Sequence, residues 1–244
     1  EYLMIGLVDG DGFIYFAYWK KDNLTAAVAH LHELIDNAKN ENFCDYLAIA
    51  VGGSDNWRND FYWGYKKSVG RENSRKTMPE WLPDLKAELA NRSDAILTDN
   101  IEADDVIRMW AEQCKAHNKD YIVISHDKDL DCIEGLHFDP RKWRNYHVSE
   151  EQSDVSYWKQ LLMGDGIDNI PGIKGIGPKK ADKLLEGLQT HEERRRLVCQ
   201  EYYKVYGNEG YANLLANGRL LHIMRHVNDY FSLSKEEYEK AISC

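Results

Sequence analysis

"YIVISHDKDLD", residues 121 to 131, joins an aromatic and three β-branched residues to a segment with three aspartates in seven positions. Tyr121 to Ile124 has the composition of a buried strand. Carboxylates follow it at once, and in open α/β sheets ligands collect outside the carboxyl ends of the strands. The same pattern recurs upstream. Leu3 to Val8 reads as a strand ending at the turn Asp9-Gly10, Tyr46 to Val51 as one closed by Gly52-Gly53 with Asp55 just beyond, and Ile96-Leu97 as a short third strand. Ala27, Val28, Leu31, Leu34, Ile35 and Ala38 recur at helical spacing, as do Val106, Ile107, Trp110, Ala111 and Cys114. Strands alternating with helices predict an α/β fold around a mostly parallel sheet. Beyond residue 150 the strand signals stop, and Tyr157–Met163, Lys179–Leu188, Glu192–Tyr206 and Tyr211–Val227 read as helices.

If the strands run parallel, Asp9, Asp55, Asp127 and Asp129 gather on one edge of the sheet. Glu102, Asp104 and Asp105 join them from the start of the Val106 helix, and Asp165 and Asp168 from the stretch "GDGIDNIPGIKGIGPKKADKLL", residues 164 to 185. Singly, each has an ordinary role: first-turn acids favour a helix amino end, and Asp-Gly pairs form turns. Together they would repel one another unless cations sat between them. All-oxygen ligation without His or Cys points to Mg²⁺ or Mn²⁺ rather than zinc. Two such ions about 4 Å apart are a known device for phosphodiester hydrolysis.

A net charge of −10 ordinarily argues against a nucleic-acid partner. Its distribution weakens that argument. Lys66, Lys67, Arg71, Arg75 and Lys76 cluster in one segment, and Lys174, Lys179, Lys180 and Lys183 in another. In the second, Gly172, Gly175 and Gly177 let backbone amides approach a phosphate, and Pro178 opens a helix whose amino end favours an anion. Trp57, Tyr62, Trp63 and Tyr65 interleave aromatic rings with the first cluster, as single-strand grooves do.

Five cysteines, Cys44, Cys114, Cys132, Cys199 and Cys244, lack CxxC spacing and fit a reduced intracellular, cytoplasmic protein. No apolar run reaches the roughly 18 residues of a membrane span, and no signal-peptide pattern opens the chain. It begins at Glu1 rather than methionine, so nothing about processing follows.

In order, "VDGDGF", "SDNWRNDFYWGYKKSVGR", "EADDVI", "ISHDKDLD" and "GDGIDNIPGIKGIGPKKADKLL" resemble the signature segments of the flap endonuclease and 5′-exonuclease family, over about residues 3 to 188. The likeness is closest to the small bacteriophage enzymes and the nuclease domain of bacterial DNA polymerase I. It implies a PIN-like α/β core over 1–150 and an arch or gateway segment at about 62–92. Residues 151–244 would carry a helix–three-turn–helix and a helical tail, packed as one unit with the core. It also implies Asp9, Asp55, Glu102 and Asp104 as one metal cluster and Asp127, Asp129, Asp165 and Asp168 as a second, with Asp105 adjoining both. Tyr65 would stack on a base, while Lys66 and Arg71 would act at the scissile phosphate. The main chain of the Gly172 to Gly177 loop would hold a monovalent cation, commonly K⁺.

Two departures stand out: His126 sits where a small polar residue is usual, and Gly52-Gly53-Ser54 replaces an apolar lead-in to Asp55. The implied activity is metal-dependent hydrolysis of DNA with 5′ ends, flaps or nicks, in replication or repair. The resemblance also implies RNA–DNA hybrid as an alternative substrate. The alternatives are a PIN-type ribonuclease, against which the glycine–lysine module argues, and a non-catalytic branched-DNA-binding protein, against which the complete acid set argues. Protein partners are not legible.

Overall fold

The computed structural model describes residues 3–243, which leaves Cys244 outside the described residues; the other four cysteines are buried free thiols. One sheet organises the molecule. Its strands are β1 (Met4–Asp9), β2 (Tyr46–Val51), β3 (Ala95–Leu97), β4 (Asp120–Ile124), β5 (Gly135–Asp139) and β6 (Arg144–Val148), in the order β3-β2-β1-β4-β5-β6. All neighbours run parallel except β5 and β6. This is the mostly parallel α/β sheet with flanking helices that the sequence leads one to expect.

Both faces of the sheet are covered, so the central strands are continuously apolar. Val8, Ile122 and Ile124 pack against Leu31 and Ile35 of helix α2 (Leu24–Glu41) and against Phe13 and Ile14 of α1 (Gly10–Tyr18). Leu7, Ala50 and Val123 meet Val106, Ile107 and Ala111 of α6 (Ala103–Ala116) on the other face. Each such valine, leucine, isoleucine or phenylalanine side chain, fully buried, contributes about 1.5–3 kcal/mol. The chain steps outward from β1 through β2 to β3, then returns to the other side of β1 for β4 and β5. The reversal falls between the carboxyl ends of β1 and β4, the place where an open α/β sheet leaves a crevice.

Between β2 and β3 lie α3 (Trp57–Phe61), α4 (Val69–Lys76) and α5 (Leu82–Ala90). The expected arch to residue 92 is shortened here. Leu85 and Leu89 of α5 are fully buried in the core beside α1 and α2, which leaves α4, with no buried residue, as the projecting piece. The remaining helices are α7 (Glu150–Met163), α8 (Pro178–Leu185), α9 (His191–Tyr206), α10 (Gly210–Leu221) and α11 (Lys235–Ser243). They share a second apolar cluster built around Trp158, Leu161, Leu162, Val198, Tyr202 and Leu214. Helix α10 ends at Leu221, short of the expected Val227. The carbonyls of Leu220 and His222 accept from Arg58 (3.0 and 2.6 Å), and the amide of Met224 donates to Asp105 (2.9 Å). Among the described residues no helix is long and apolar enough to cross a membrane.

Candidate active site

The crevice at the sheet's switch point is a cleft of about 600 Å³ lined by Asp9, Asp55, Glu102, Asp104 and Asp127, with Lys66, Lys67, Arg71 and Arg75 from the projecting segment. Asp9 is buried where β1 becomes α1. Its carboxylate accepts from Gly12 N (3.1 Å), capping the helix, and from Ser125 Oγ (2.8 Å) at the end of β4. Ser125 in turn accepts from the amide of Asp127 (2.9 Å), so one hydroxyl ties the acids of two neighbouring strands together. Asp55 is exposed on the lip. The Gly52-Gly53 turn before it is forced by close packing: a Cβ on Gly53 would stand 2.1 Å from the carbonyl oxygen of Thr98.

Beneath the cleft, Glu102, Asp104, Asp129, Asp165 and Asp168 line a small cavity of about 20 Å³, room for roughly one water-sized body. Asp129 reaches it from the turn after β4 and accepts from Gln160 of α7. Asp165 and Asp168 lie on a tight turn closed by paired main-chain bonds between Asp165 and Ile170, and Asp165 Oδ1 accepts from the amides of Ile167 (2.6 Å) and Asp168 (3.2 Å). Burial and acidic neighbours disfavour ionisation here. Burial, with Asp11 and Asp127 adding to it, pushes Asp9 up to about 6. Burial and the charges of Asp127, Asp165 and Asp168 push Asp129 up to about 7. Asp104 is held well above the usual carboxylate range by burial and by Asp127, Asp9 and Glu102.

The projecting segment supplies the counter-charge. Lys66 pairs with Glu102 and lies 3.8 Å from Asp168, and Arg71 pairs with Asp168. Desolvation pulls the Lys66 ammonium down, but Glu102 and Asp168 outweigh it and hold the group above its ordinary value. Lys66 has a left-handed backbone (φ 55°), a strained state for a non-glycine residue, and its amide donates to the carbonyl of Asp168 (2.9 Å). Ser68 Oγ to Ile167 O (2.8 Å) and Asn169 Nδ2 to Gly64 O (2.9 Å) continue this seam. Among the described residues, no three His, Cys, Asp or Glu converge as a ready-made cation site. The donor set is nonetheless all oxygen and crowded, and Asp9, Asp104 and Asp129 within it are held above the usual carboxylate range, which is the chemistry a hard divalent cation would relieve.

Three expected roles change. Asp105, grouped with the metal ligands, is fully buried and spoken for. It takes both guanidinium nitrogens of Arg58 (2.7 and 2.9 Å), the amide of Met224 (2.9 Å) and that of Glu102 (3.1 Å), leaving no lone pair for a cation. Tyr65, expected to stack on a base, is only 2% exposed, and its hydroxyl donates to Glu102 (2.9 Å), with Asp168 at 3.3 Å. Gly172, expected at a phosphate, is buried against the 163–164 main chain, where a Cβ would meet Gly164 N at 2.1 Å. Gly175 and Gly177 do face open space, and Lys174, Lys179, Lys180 and Lys183 are exposed around them, as are Lys67, Arg75 and Lys76 on the projecting segment.

His126 packs on Phe16 (ring centroids 4.7 Å apart), its pKa lowered by burial. Asp131 turns away to accept from Tyr146 (2.8 Å). Asp11 pairs with Lys86 (3.2 Å) at the cleft wall. Sequence reasoning passed over Arg58, Ser125 and Gln160. Arg58 lies within a quoted motif and Ser125 directly before the acids, whereas nothing local marks Gln160.

A family of proteins described as "5′-3′ exonuclease, N-terminal resolvase-like domain" matches residues 4–137. DNA polymerase I of Rhizobium leguminosarum is 32% identical over 222 residues, which cover 80% of this chain but 22% of that protein. The flap endonuclease Xni of Shewanella sediminis is 31% identical over 155 residues, 59% of this chain and 60% of the relative. The chain thus spans less than two thirds of both relatives. Among solved structures, the bacteriophage T5 D15 protein co-crystallised with metal ions is 17% identical with a TM-score of 0.63, over 98% of this chain and 97% of that one.

Proposed function

This chain belongs to the 5′-3′ exonuclease family, and from that premise we propose that it is a divalent-metal-dependent 5′ nuclease acting on DNA with 5′ ends, flaps or nicks. The observation that carries the reading is the acid-floored cleft roofed by Lys66 and Arg71. Asp9, Glu102 and Asp104, with Asp55 at the lip, would hold one Mg²⁺ or Mn²⁺, together with Asp127, which the resemblance puts in the second cluster but which lines the same cleft as Asp9. Asp129, Asp165 and Asp168, sharing Glu102 and Asp104, would hold a second. Ions so held would generate hydroxide from water and neutralise charge on the attacking and leaving oxygens.

The chain's own groups do the rest. Ser125 and Gln160 fix the orientation of Asp9 and Asp129. Tyr65 fixes Glu102. Lys66 and Arg71, drawn from their carboxylates to the scissile phosphate, would stabilise its developing charge. The exposed lysines around Gly175 and Gly177 would grip duplex phosphates without regard to sequence, with K⁺ between main-chain carbonyls of residues 172–177 and phosphate. We read the α/β core and the helical part as one working unit, because Asp165 and Asp168 of the second complete the floor laid by the first.

The test is cleavage of a 5′-labelled flap duplex and a matching blunt duplex, in Mg²⁺ and in EDTA. Release of a labelled oligonucleotide or mononucleotides in Mg²⁺ alone is expected. Absence of product from both substrates would defeat the proposal. Asp168→Asn is expected to lower the rate by about a hundredfold or more, the order set by losing several kcal/mol of charge stabilisation. Its DNA affinity in Ca²⁺ should stay near wild type.

A further inference from the structure

Four aromatic residues are interleaved with the first basic cluster, and the fold uses three of them internally. Trp57 packs edge-on against Tyr230 (centroids 4.8 Å apart). Tyr62 joins the apolar cluster of the helical part, and Tyr65 is buried beneath Glu102. Trp63 alone turns outward, 78% exposed, although it precedes Gly64 at the start of the seam that closes the cleft. The ammonium of Lys67 lies 6.0 Å from its ring centroid, and Lys67 also lines the cleft. Val69 and Ile167 are likewise exposed (74% and 69%), on the two chain segments that Ser68 stitches together. An exposed indole beside Lys67, itself part of the wall of the acid-floored cleft, matches the alternation of π-face and positive charge by which single strands are bound.

We propose that Trp63 is the platform on which an unpaired nucleobase of the 5′ strand stacks as that strand enters the cleft. Lys67 would meet the adjoining phosphate, and Val69 and Ile167 would extend the apolar floor. The occupant is a nucleobase rather than a protein segment because the surround is cationic: Lys66, Lys67, Arg71, Arg75 and Lys76 all belong to the same stretch. Trp63 acts by positioning the strand and touches no reacting atom. The inference rests on the nuclease reading above, and the experiment separates the two.

A flap duplex carrying 2-aminopurine at each of the first three unpaired positions in turn, and a blunt duplex of the same sequence, are titrated with wild type, Trp63→Ala and Trp63→Phe in Ca²⁺. Wild type should quench the probe at one of these positions, and Trp63→Phe should keep much of that quench. Trp63→Ala should abolish it and bind the flap about tenfold more weakly, within the range of one base–aromatic stack. Affinity for the blunt duplex should stay within about twofold of wild type. In Mg²⁺, Trp63→Ala should raise KM for the flap and leave kcat nearly unchanged. Undiminished flap binding and quench in Trp63→Ala, or equal losses on flap and blunt duplex, would overturn the assignment. Wild type cleaving neither substrate would instead defeat the nuclease reading.

Discussion

At the scale of single residues, the contrast between Asp104 and Asp105 is instructive. Adjacent in "EADD", they have opposite surroundings: Asp104 faces other acids, while Asp105 is paired with Arg58. Removing one member of a buried pair leaves an uncompensated charge. Arg58→Ala is therefore expected to cost about 3–5 kcal/mol in urea unfolding. A loss under 1 kcal/mol would mean that Asp105 finds another partner or a proton. Sequence spacing marked both as acids at a helix start, and it could not tell them apart because the difference lies in a side chain 47 positions upstream. Tyr65 repeats the lesson. An aromatic among lysines looks like a stacking residue, yet exposure is a tertiary property, and the neighbour two positions away has it instead.

At the scale of elements, the strands at the centre of the sheet were legible because both of their faces are buried and, Asp9 and Asp120 at their ends apart, they are runs of apolar residues. The hairpin of β5 and β6 was not. β6 is an edge strand with one buried residue, and the alternation in its sequence "RNYHV" is confined to the four residues Asn145 to Val148, too short to mark a strand. Helix α1 hid behind the glycines of "DGDGF", which read as a turn when Asp9 is in fact its cap. The turn at Gly164 to Gly172 offers a test. Gly172 has both a left-handed backbone (φ 23°) and main chain at 2.1 Å from any Cβ, whereas Gly175 (φ 82°) has only the first constraint. Gly172→Ala is expected to cost about 3 kcal/mol or more, roughly 6–12 °C in Tm, and Gly175→Ala about 1 kcal/mol. Equal shifts in thermal melts would show that the 163–164 contact is soft.

At the scale of the whole molecule, the acid cluster links stability to pH and to cations. Asp9 and Asp129 titrate at about 6 and 7 in the folded chain, against 3.8 for a free aspartate. Between those values the folded chain retains protons that the unfolded chain has released, so these two groups withdraw stability as pH rises through about 4 to 7. A divalent cation needs the same groups ionised, and its contribution grows over the same window. The gain in urea midpoint on replacing EDTA by Mn²⁺ should therefore be large near about pH 7.5 and small near about pH 5. Equal gains at both would place the ion away from these carboxylates. The long-range pairing of Arg58 has a bearing on how the chain is made. Its guanidinium and that of Arg108 reach carbonyls between Leu220 and Ile223, and Asp105 takes the amide of Met224. A chain emerging from the ribosome delivers the sheet first and those acceptors more than a hundred residues later. Until they arrive, Arg58 has only Asp105 as acceptor and Asp105 lacks the amide of Met224, so the anchor of Glu102 is only half built. A nascent chain therefore carries Asp9, Glu102 and Asp104 early and gains the helical part that completes their surroundings, Asp165 and Asp168 included, late.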